Sequence, residues 1–168
     1  MNGNMNIALY AFRKYGDMVL RAAYHHVRSY SEAEDITQEV FLKLHAEPQS
    51  FSSDEHLKAW LLRSAINRCI NYHKSFRIRN RQSLDEVNEE SLSYEFTSDD
   101  KTVLEKVSAL PDKYSSVIYL YYYEEYSIRE ISEILGKNEN TVSSLLRRAR
   151  KRLKLELEED EVYEKQGV

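Results

Sequence analysis

The sequence predicts an all-α protein in which an acidic linker joins two small helical domains. Helix breakers are scarce, since the 168 residues include 4 Gly and 2 Pro. Apolar residues recur at helical spacing on both sides of an acid-rich stretch. Near the C-terminal end, a helix, a glycine turn and a second helix follow one another, as in a helix-turn-helix. We therefore expect domains over residues 1–79 and 102–168, with the acidic linker over residues 80–101.

The composition argues against a secreted or membrane protein. Cys69 is the single cysteine, so neither an internal disulfide nor a cysteine-based zinc site is expected, and its apolar neighbours predict burial. The opening residues MNGNMNIALY do not resemble a signal peptide. No apolar run reaches the roughly 20 residues of a membrane span. The sequence thus predicts a cytoplasmic protein without direct membrane insertion.

The histidines do not suggest an enzyme. His25 and His26 are adjacent, so they should project in different directions on a helix, and His45, His56 and His73 form no metal-ligand spacing with nearby carboxylates. Glycine is too rare for a phosphate-binding loop. We expect no catalytic residues, no metal, no cofactor and no small-molecule substrate.

The charge distribution indicates two anion-binding surfaces, although the net charge is −4. Residues 56–84 contain seven Lys or Arg and no acid, and residues 141–155 contain six and no acid. Acidic residues separate the two blocks and fill the tail. The alternative interpretation is that both blocks are solvated helix faces.

Three helices are expected in the N-terminal half. Residues 5–28 have helical periodicity, with a break near Gly16. Ser31 and Glu34 match a capping box for a second helix that ends near His45. After a loop over residues 46–53, Ser52 and Glu55 match a second box. The expected buried faces are Ala33, Ile36, Val40 and Leu44, then Leu57, Trp60, Leu61, Ala65, Cys69, Tyr72 and Phe76.

The C-terminal half carries the helix-turn-helix pattern. Pro111 suits the first turn of a helix, and the run VIYLYYYEEY is interpreted as helical because no partner strand lies nearby. Ser127 can cap a short helix, Gly136 suits its end, and Asn138 can cap the next helix. Along that helix the residues expected to face inward are Val142, Leu146, Ala149 and Leu153.

The second helix has the chemistry of a DNA-reading helix. Its first turns carry short polar groups that can reach base edges, namely Glu139, Asn140, Thr141, Ser143 and Ser144. Arg147, Arg148 and Lys151 follow where phosphates would lie. A plain antiparallel helix pair remains the alternative.

The segment AEDITQEVF, residues 33–41, is similar to the AEDLxQExF motif of extracytoplasmic-function (ECF) sigma factors of bacterial RNA polymerase. In that family this helix binds the clamp of the polymerase's largest subunit. The resemblance places Asp35, Gln38, Glu39 and Phe41 at the interface with core polymerase.

The segment AWLLRSAIN, residues 59–67, resembles the family's AWLxRIAxN, which builds the element that opens the promoter. The resemblance implies contacts to the minus-ten strand by Arg63, Asn67, Arg68 and Lys74, with a base-selecting pocket around Phe51. Basic side chains near aromatic rings also suit single-stranded DNA. Trp60 is interpreted as a core residue rather than a stacking platform.

The segment NTVSSLLRRAR, residues 140–150, resembles the family's GTVKSRLxRAR, which reads the minus-thirty-five element. Ser143 and Leu145 stand where Lys and Arg are usual, so two phosphate contacts are missing. Leu145 either touches a thymine methyl or extends the core. By the same resemblance, the acidic linker would run through the polymerase, although a simple tether is the alternative.

These observations predict a sigma factor that directs RNA polymerase to selected promoters. The expected partners are core polymerase, promoter DNA and an anti-sigma factor, the last implied by the resemblance alone. A stand-alone helix-turn-helix regulator is the first alternative, and it leaves residues 33–41 unexplained. A sigma-like scaffold without DNA binding is another alternative.

Overall fold

The computed structural model describes residues 3–47, 49–80 and 98–165. Within these ranges it contains seven α-helices and one π-helical turn, and no strand. The predicted all-α fold is confirmed for this part of the chain. The helices are α1 Gly3–Val27, α2 Tyr30–Ala46, α3 Asp54–Asn80, α4 Ser98–Ala109, α5 Asp112–Ile118, α6 Ile128–Leu135 and α7 Glu139–Lys165, with the π turn at Tyr119–Tyr123.

The chain divides into two compact units, residues 1–94 and 95–168. Most of the predicted acidic linker, residues 81–97, lies outside the described residues. Helix α4 begins at Ser98, within the range that the sequence assigned to the linker. The linker's predicted path and conformation therefore stay predictions, and its last residues are helical.

The N-terminal unit is built from α1, α2 and α3, which pack on one another around an apolar core. The predicted stripe of α2 is buried, and Cys69 on α3 is fully buried against Ala23 and Ala33, as its apolar neighbours indicated. His25 and His26 are buried as well, with ring centroids 5.1 Å apart. The expectation that these adjacent rings diverge is wrong, because both turn into the core.

The predicted break at Gly16 is wrong, since α1 runs without interruption through that residue. One glycine within a helix costs only about 1 kcal/mol relative to alanine, which tertiary packing easily offsets. The helix ends at Val27, and the next residue, Arg28, adopts a left-handed conformation with φ 56°. The Arg28 amide donates to the Tyr24 carbonyl at 2.8 Å and closes the last turn.

Two predicted helix caps are displaced by one or two residues. Ser29, not Ser31, caps α2, because its hydroxyl accepts from the Glu32 amide at 3.4 Å. Ser53, not Ser52, caps α3, because its hydroxyl accepts from the His56 amide at 3.1 Å. Ser52 instead lies 3.3 Å from the His56 ring nitrogen Nδ1.

The C-terminal unit contains α4 to α7. Pro111 immediately precedes α5. The run VIYLYYYEEY is helical as predicted up to Tyr123, with its middle part widened into the π turn, but residues 124–126 are not helical. Ser127 caps α6 in a reciprocal capping box with Glu130, and Gly136 ends that helix with φ 63°. Asn138 Oδ1 accepts from the Thr141 amide at 2.7 Å and caps α7. The predicted helix-turn-helix is therefore present.

No helix in the described ranges is long and apolar enough to cross a membrane. The same ranges contain no cluster of three or more His, Cys, Asp or Glu side chains that is arranged to hold a metal ion.

Candidate polymerase and promoter interfaces

Helix α2 exposes a polar stripe on the side opposite its buried face. Asp35, Gln38 and Glu39 are exposed and lie three to four residues apart, so they share one face of the helix. Leu42 continues this stripe one turn further and is 64% exposed, although the sequence reasoning did not select it. The four residues form a mixed polar and apolar surface, called here the α2 stripe.

Phe41 does not belong to the α2 stripe. Its side chain is buried at 8% exposure, and its ring meets Phe12 of α1 edge-on with centroids 5.2 Å apart. This packing fixes α2 on α1. The Phe41 ring is therefore largely unavailable for the direct partner contact that the resemblance implied, whereas its neighbour Phe12 is 54% exposed.

Helix α3 carries a line of exposed polar side chains. Arg63, Asn67 and Lys74 recur at intervals of four and seven residues, so they project from one side of the helix. Asn71, also exposed, fills the missing position in this line. These four side chains form a hydrogen-bonding surface about three helical turns long. It is rich in donors and contains no carboxylate, so it suits an anionic strand.

Three aromatic side chains pack together near the N-terminal end of this line of polar side chains on α3. The Phe51 ring lies edge-on to His56 at 5.3 Å and to Trp60 at 5.9 Å. Phe51 and Trp60 are both half-buried, so each presents part of its ring to solvent. Trp60 thus combines packing with partial exposure, whereas the sequence favoured the core alone.

Arg68 differs from the other α3 candidates. It forms an ion pair with Glu39 of the α2 stripe, with 31% of the Arg68 side chain and 56% of the Glu39 side chain exposed. The two residues also line a shallow depression together with Leu42, Lys43, Ala46 and Glu47. One ion pair therefore joins the candidate polymerase surface to the candidate strand surface.

A second polar cluster attaches the start of α3 to α1. Asp54, the first residue of α3, accepts hydrogen bonds from Lys14 and Tyr15, and from Tyr10 at 3.1 Å. These donors lower the pKa of Asp54 below its ordinary value of 3.8, the Lys14 hydrogen bond most strongly. The cluster fixes the start of α3 directly after residues 49–53, called here the Phe51 loop, and residue spacing alone did not reveal it.

The first three turns of α7 present the third candidate surface. Glu139, Asn140, Thr141, Ser143, Arg147, Arg148 and Lys151 are exposed, and Ser144 is half-buried. On the opposite face Val142, Leu146 and Ala149 are buried, as the sequence predicted. Leu145 is also buried, at 8% exposure, so it extends the core and is poorly placed to touch a thymine methyl.

The comparisons with known proteins match both halves of the chain. The family model described as Sigma-70 region 2 matches residues 11–79, and the model described as Sigma-70, region 4 matches residues 101–153. The two matched ranges contain all residues of the three candidate surfaces.

Curated relatives match over most of their length. The chain is 31% identical to the ECF RNA polymerase sigma factor SigW of Bacillus subtilis (strain 168), over 85% of this chain and 84% of the relative. It is 27% identical to the RNA polymerase sigma factor SigV of the same organism, over 84% and 86%.

A solved structure shows the same architecture. The sigma factor RpoE of Bartonella quintana, in complex with the anti-sigma factor NepR, superimposes with a TM-score of 0.69 at 25% identity, covering 88% of this chain and 94% of RpoE. Sigma factors act with RNA polymerase core on promoter DNA in transcription initiation and catalyse no reaction themselves. The chain belongs to the ECF group of the sigma-70 family of RNA polymerase sigma factors.

Proposed function

We propose that the chain divides promoter recognition among its three surfaces. The α2 stripe binds the clamp of the polymerase's largest subunit, the Phe51 loop and α3 hold the minus-ten strand, and α7 reads the minus-thirty-five element. The observation that carries this proposal is that the predicted contact residues are exposed on the sides of α2, α3 and α7 that face away from the core, apart from Phe41, Phe51, Ser144 and the paired Arg68.

For the polymerase contact, Asp35, Gln38 and Glu39 offer hydrogen-bond acceptors, and Leu42 offers apolar area next to them. Such a surface complements a partner with basic and apolar side chains. Because Phe41 is buried, its part in this contact is to hold α2 in place against Phe12.

The polymerase contact can be tested by the affinity of fluorescently labelled protein for purified core polymerase. Gln38→Ala should weaken binding about tenfold, which corresponds to the loss of one well-buried interfacial hydrogen bond. Ser31→Ala changes an exposed residue at the other end of α2 and serves as the control. Equal affinities for the two variants would exclude the α2 stripe as the polymerase contact.

For the minus-ten strand, we infer that Arg63, Asn67 and Lys74 contact the strand and that the half-exposed Phe51 and Trp60 rings stack on an unpaired base. Arg68 joins this contact only after its bond to Glu39 opens. Asn67→Ala should reduce permanganate reactivity of promoter thymines in the polymerase complex, whereas the nearby exposed control Ser75→Ala should not. Unchanged reactivity in Asn67→Ala would remove Asn67 from the strand contact.

For the minus-thirty-five element, the polar start of α7 is the part that can enter a major groove. Salt-sensitive attraction to phosphate supplies much of the affinity, and the polymerase supplies the remainder. The isolated chain should therefore bind promoter DNA weakly. A gel-shift experiment with and without core polymerase tests this, and tight specific binding by the isolated chain would favour the stand-alone regulator.

We also propose that an anti-sigma factor binds this chain in the cytoplasm. Support comes from RpoE, which is bound to NepR in its solved structure and shares the fold. A protein that copurifies with the tagged chain should, when added back, inhibit its run-off transcription. Copurifying proteins that leave transcription unchanged would speak against this partner.

A further inference from the structure

Arg150 on α7 lies between two tyrosine rings of the π turn. Its guanidinium carbon is 5.2 Å from the Tyr121 ring centroid and 5.5 Å from the Tyr122 centroid. The two rings stand at 74° with centroids 5.0 Å apart. The Arg150 Nε–H also donates to the Tyr122 hydroxyl at 2.7 Å. Two ring contacts and one hydrogen bond therefore fix the orientation of this guanidinium.

The charge of Arg150 is not neutralised by these contacts. Tyr121 and Tyr122 are neutral partners, and no carboxylate among the described side chains forms an ion pair with Arg150. The side chain is exposed, and Tyr122 is 53% exposed. Among the described residues, Arg150 donates a hydrogen bond through Nε alone, so the Nη1 and Nη2 donors remain available to an anion. The planar edge that they form matches two oxygens of a phosphate.

The position of Arg150 on α7 also suits contact with a DNA phosphate. It follows Ser143 and Arg147 by seven and three residues, so all three project from the same side of α7. The base-reading end of a recognition helix is flanked by residues one and two turns later that contact backbone phosphates. The π turn that supplies the tyrosines is a local helix widening of a kind often found at functional sites.

We propose that Arg150 is a phosphate-contacting residue of the promoter interface and that Tyr121 and Tyr122 orient it for this contact before DNA arrives. The proposal rests on the proposed minus-thirty-five role of α7. Holding a long side chain in its bound orientation lowers the entropy lost on binding, so a pre-oriented arginine binds more tightly than a mobile one.

The experiment measures the salt dependence of binding between the polymerase holoenzyme, formed with the full chain, and a duplex promoter fragment. The fragment is one at which this chain directs run-off transcription. Arg150→Ala should weaken binding about tenfold and lower the slope of log K against log salt by about 1, because one phosphate contact is lost. Arg150→Lys keeps the charge but lacks the planar fork, so it should weaken binding with little change in slope.

The tyrosines are tested by a matched pair of variants. Tyr122→Phe keeps the ring but removes the hydroxyl that Arg150 contacts, so affinity should fall about threefold with an unchanged slope. Tyr123→Phe removes a hydroxyl from the same turn, on a ring that stacks on Tyr119 instead, and should bind like wild type.

Three outcomes distinguish a failure of the Arg150 proposal from a failure of the proposed role of α7. An unchanged slope in folded Arg150→Ala would overturn the proposal and leave Arg150 with a packing role. Should Arg150→Ala fail to fold, wild-type affinities in both Arg150→Lys and Tyr122→Phe would overturn it. A wild-type holoenzyme that shows no salt-dependent binding would instead contradict the proposed role of α7 as a whole.

Discussion

Glu39 on α2 and Arg68 on α3 form an ion pair between two surfaces that are proposed to serve different partners. Glu39 lies in the α2 stripe, and Arg68 lies beside the residues proposed for the minus-ten strand. While this pair is closed, the Arg68 charge is compensated within the protein. A partner that binds Glu39 would compete for it and make Arg68 available to DNA.

The Glu39–Arg68 pair should contribute little to stability by itself. Both side chains are partly exposed, and such pairs stabilise by about 0.2–1 kcal/mol because water screens them. A double-mutant cycle with Glu39→Ala and Arg68→Ala, followed by urea unfolding, measures the coupling. Glu34→Ala, an exposed charge on the same helix, is the control. A coupling above about 2 kcal/mol would show that the pair is structural.

Asp54 should make the N-terminal unit sensitive to acid. The pKa of this carboxyl is lowered in the folded protein, so the stabilisation is present above its ordinary value of 3.8 and is lost as the pH falls through the folded pKa. The unfolding free energy of Asp54→Asn should therefore depend less on pH than that of wild type between about pH 5 and 2. Parallel pH profiles would contradict this. Glu55→Gln, one residue further, is the control.

Leu145 should be a stability residue. Because it is buried at 8% exposure, Leu145→Ala should cost about 2 kcal/mol or more in unfolding free energy. Leu42→Ala, at 64% exposure, should change stability by less than about 0.5 kcal/mol. Below its melting temperature, Leu145→Ala should retain the wild-type promoter preference. If Leu145→Ala has normal stability but an altered promoter preference at thymine positions, the result would instead support a contact between Leu145 and a thymine methyl.

The contribution of the α7 cap to the unfolding free energy should be measurable in the same way. Asn138→Ala removes the acceptor for the Thr141 amide and should destabilise the C-terminal unit by about 1 kcal/mol. Ser143→Ala, one turn into α7 and exposed, should leave stability unchanged or raise it slightly, because alanine favours helix. Equal unfolding free energies for both variants would mean that the cap contributes nothing.

Sequence reasoning succeeded where the determinants are local. Ser127, Gly136 and Asn138 act within their own turns, so their residue types predicted their roles. Ser29 was missed because Ser29 with Glu32 matches a capping box as well as Ser31 with Glu34 does. Ser53 was missed because Ser52, and not Ser53, is followed three residues later by a glutamate.

Contacts between distant parts of the chain were not predictable in this way. Glu39 and Arg68 are 29 residues apart, and Tyr122 and Arg150 are 28 apart, so helix packing alone brings each pair together. Phe41 shows the same limit, since its motif position suggested a partner contact while packing against Phe12 buries it.

The most direct test of the account is run-off transcription from genomic promoter fragments with purified bacterial core polymerase, with and without this protein. We expect transcripts that start only when the protein is present and that share sequence elements upstream. Stable polymerase binding without any new start would contradict the proposed promoter contacts and favour a scaffold. Absence of polymerase binding would contradict the account as a whole.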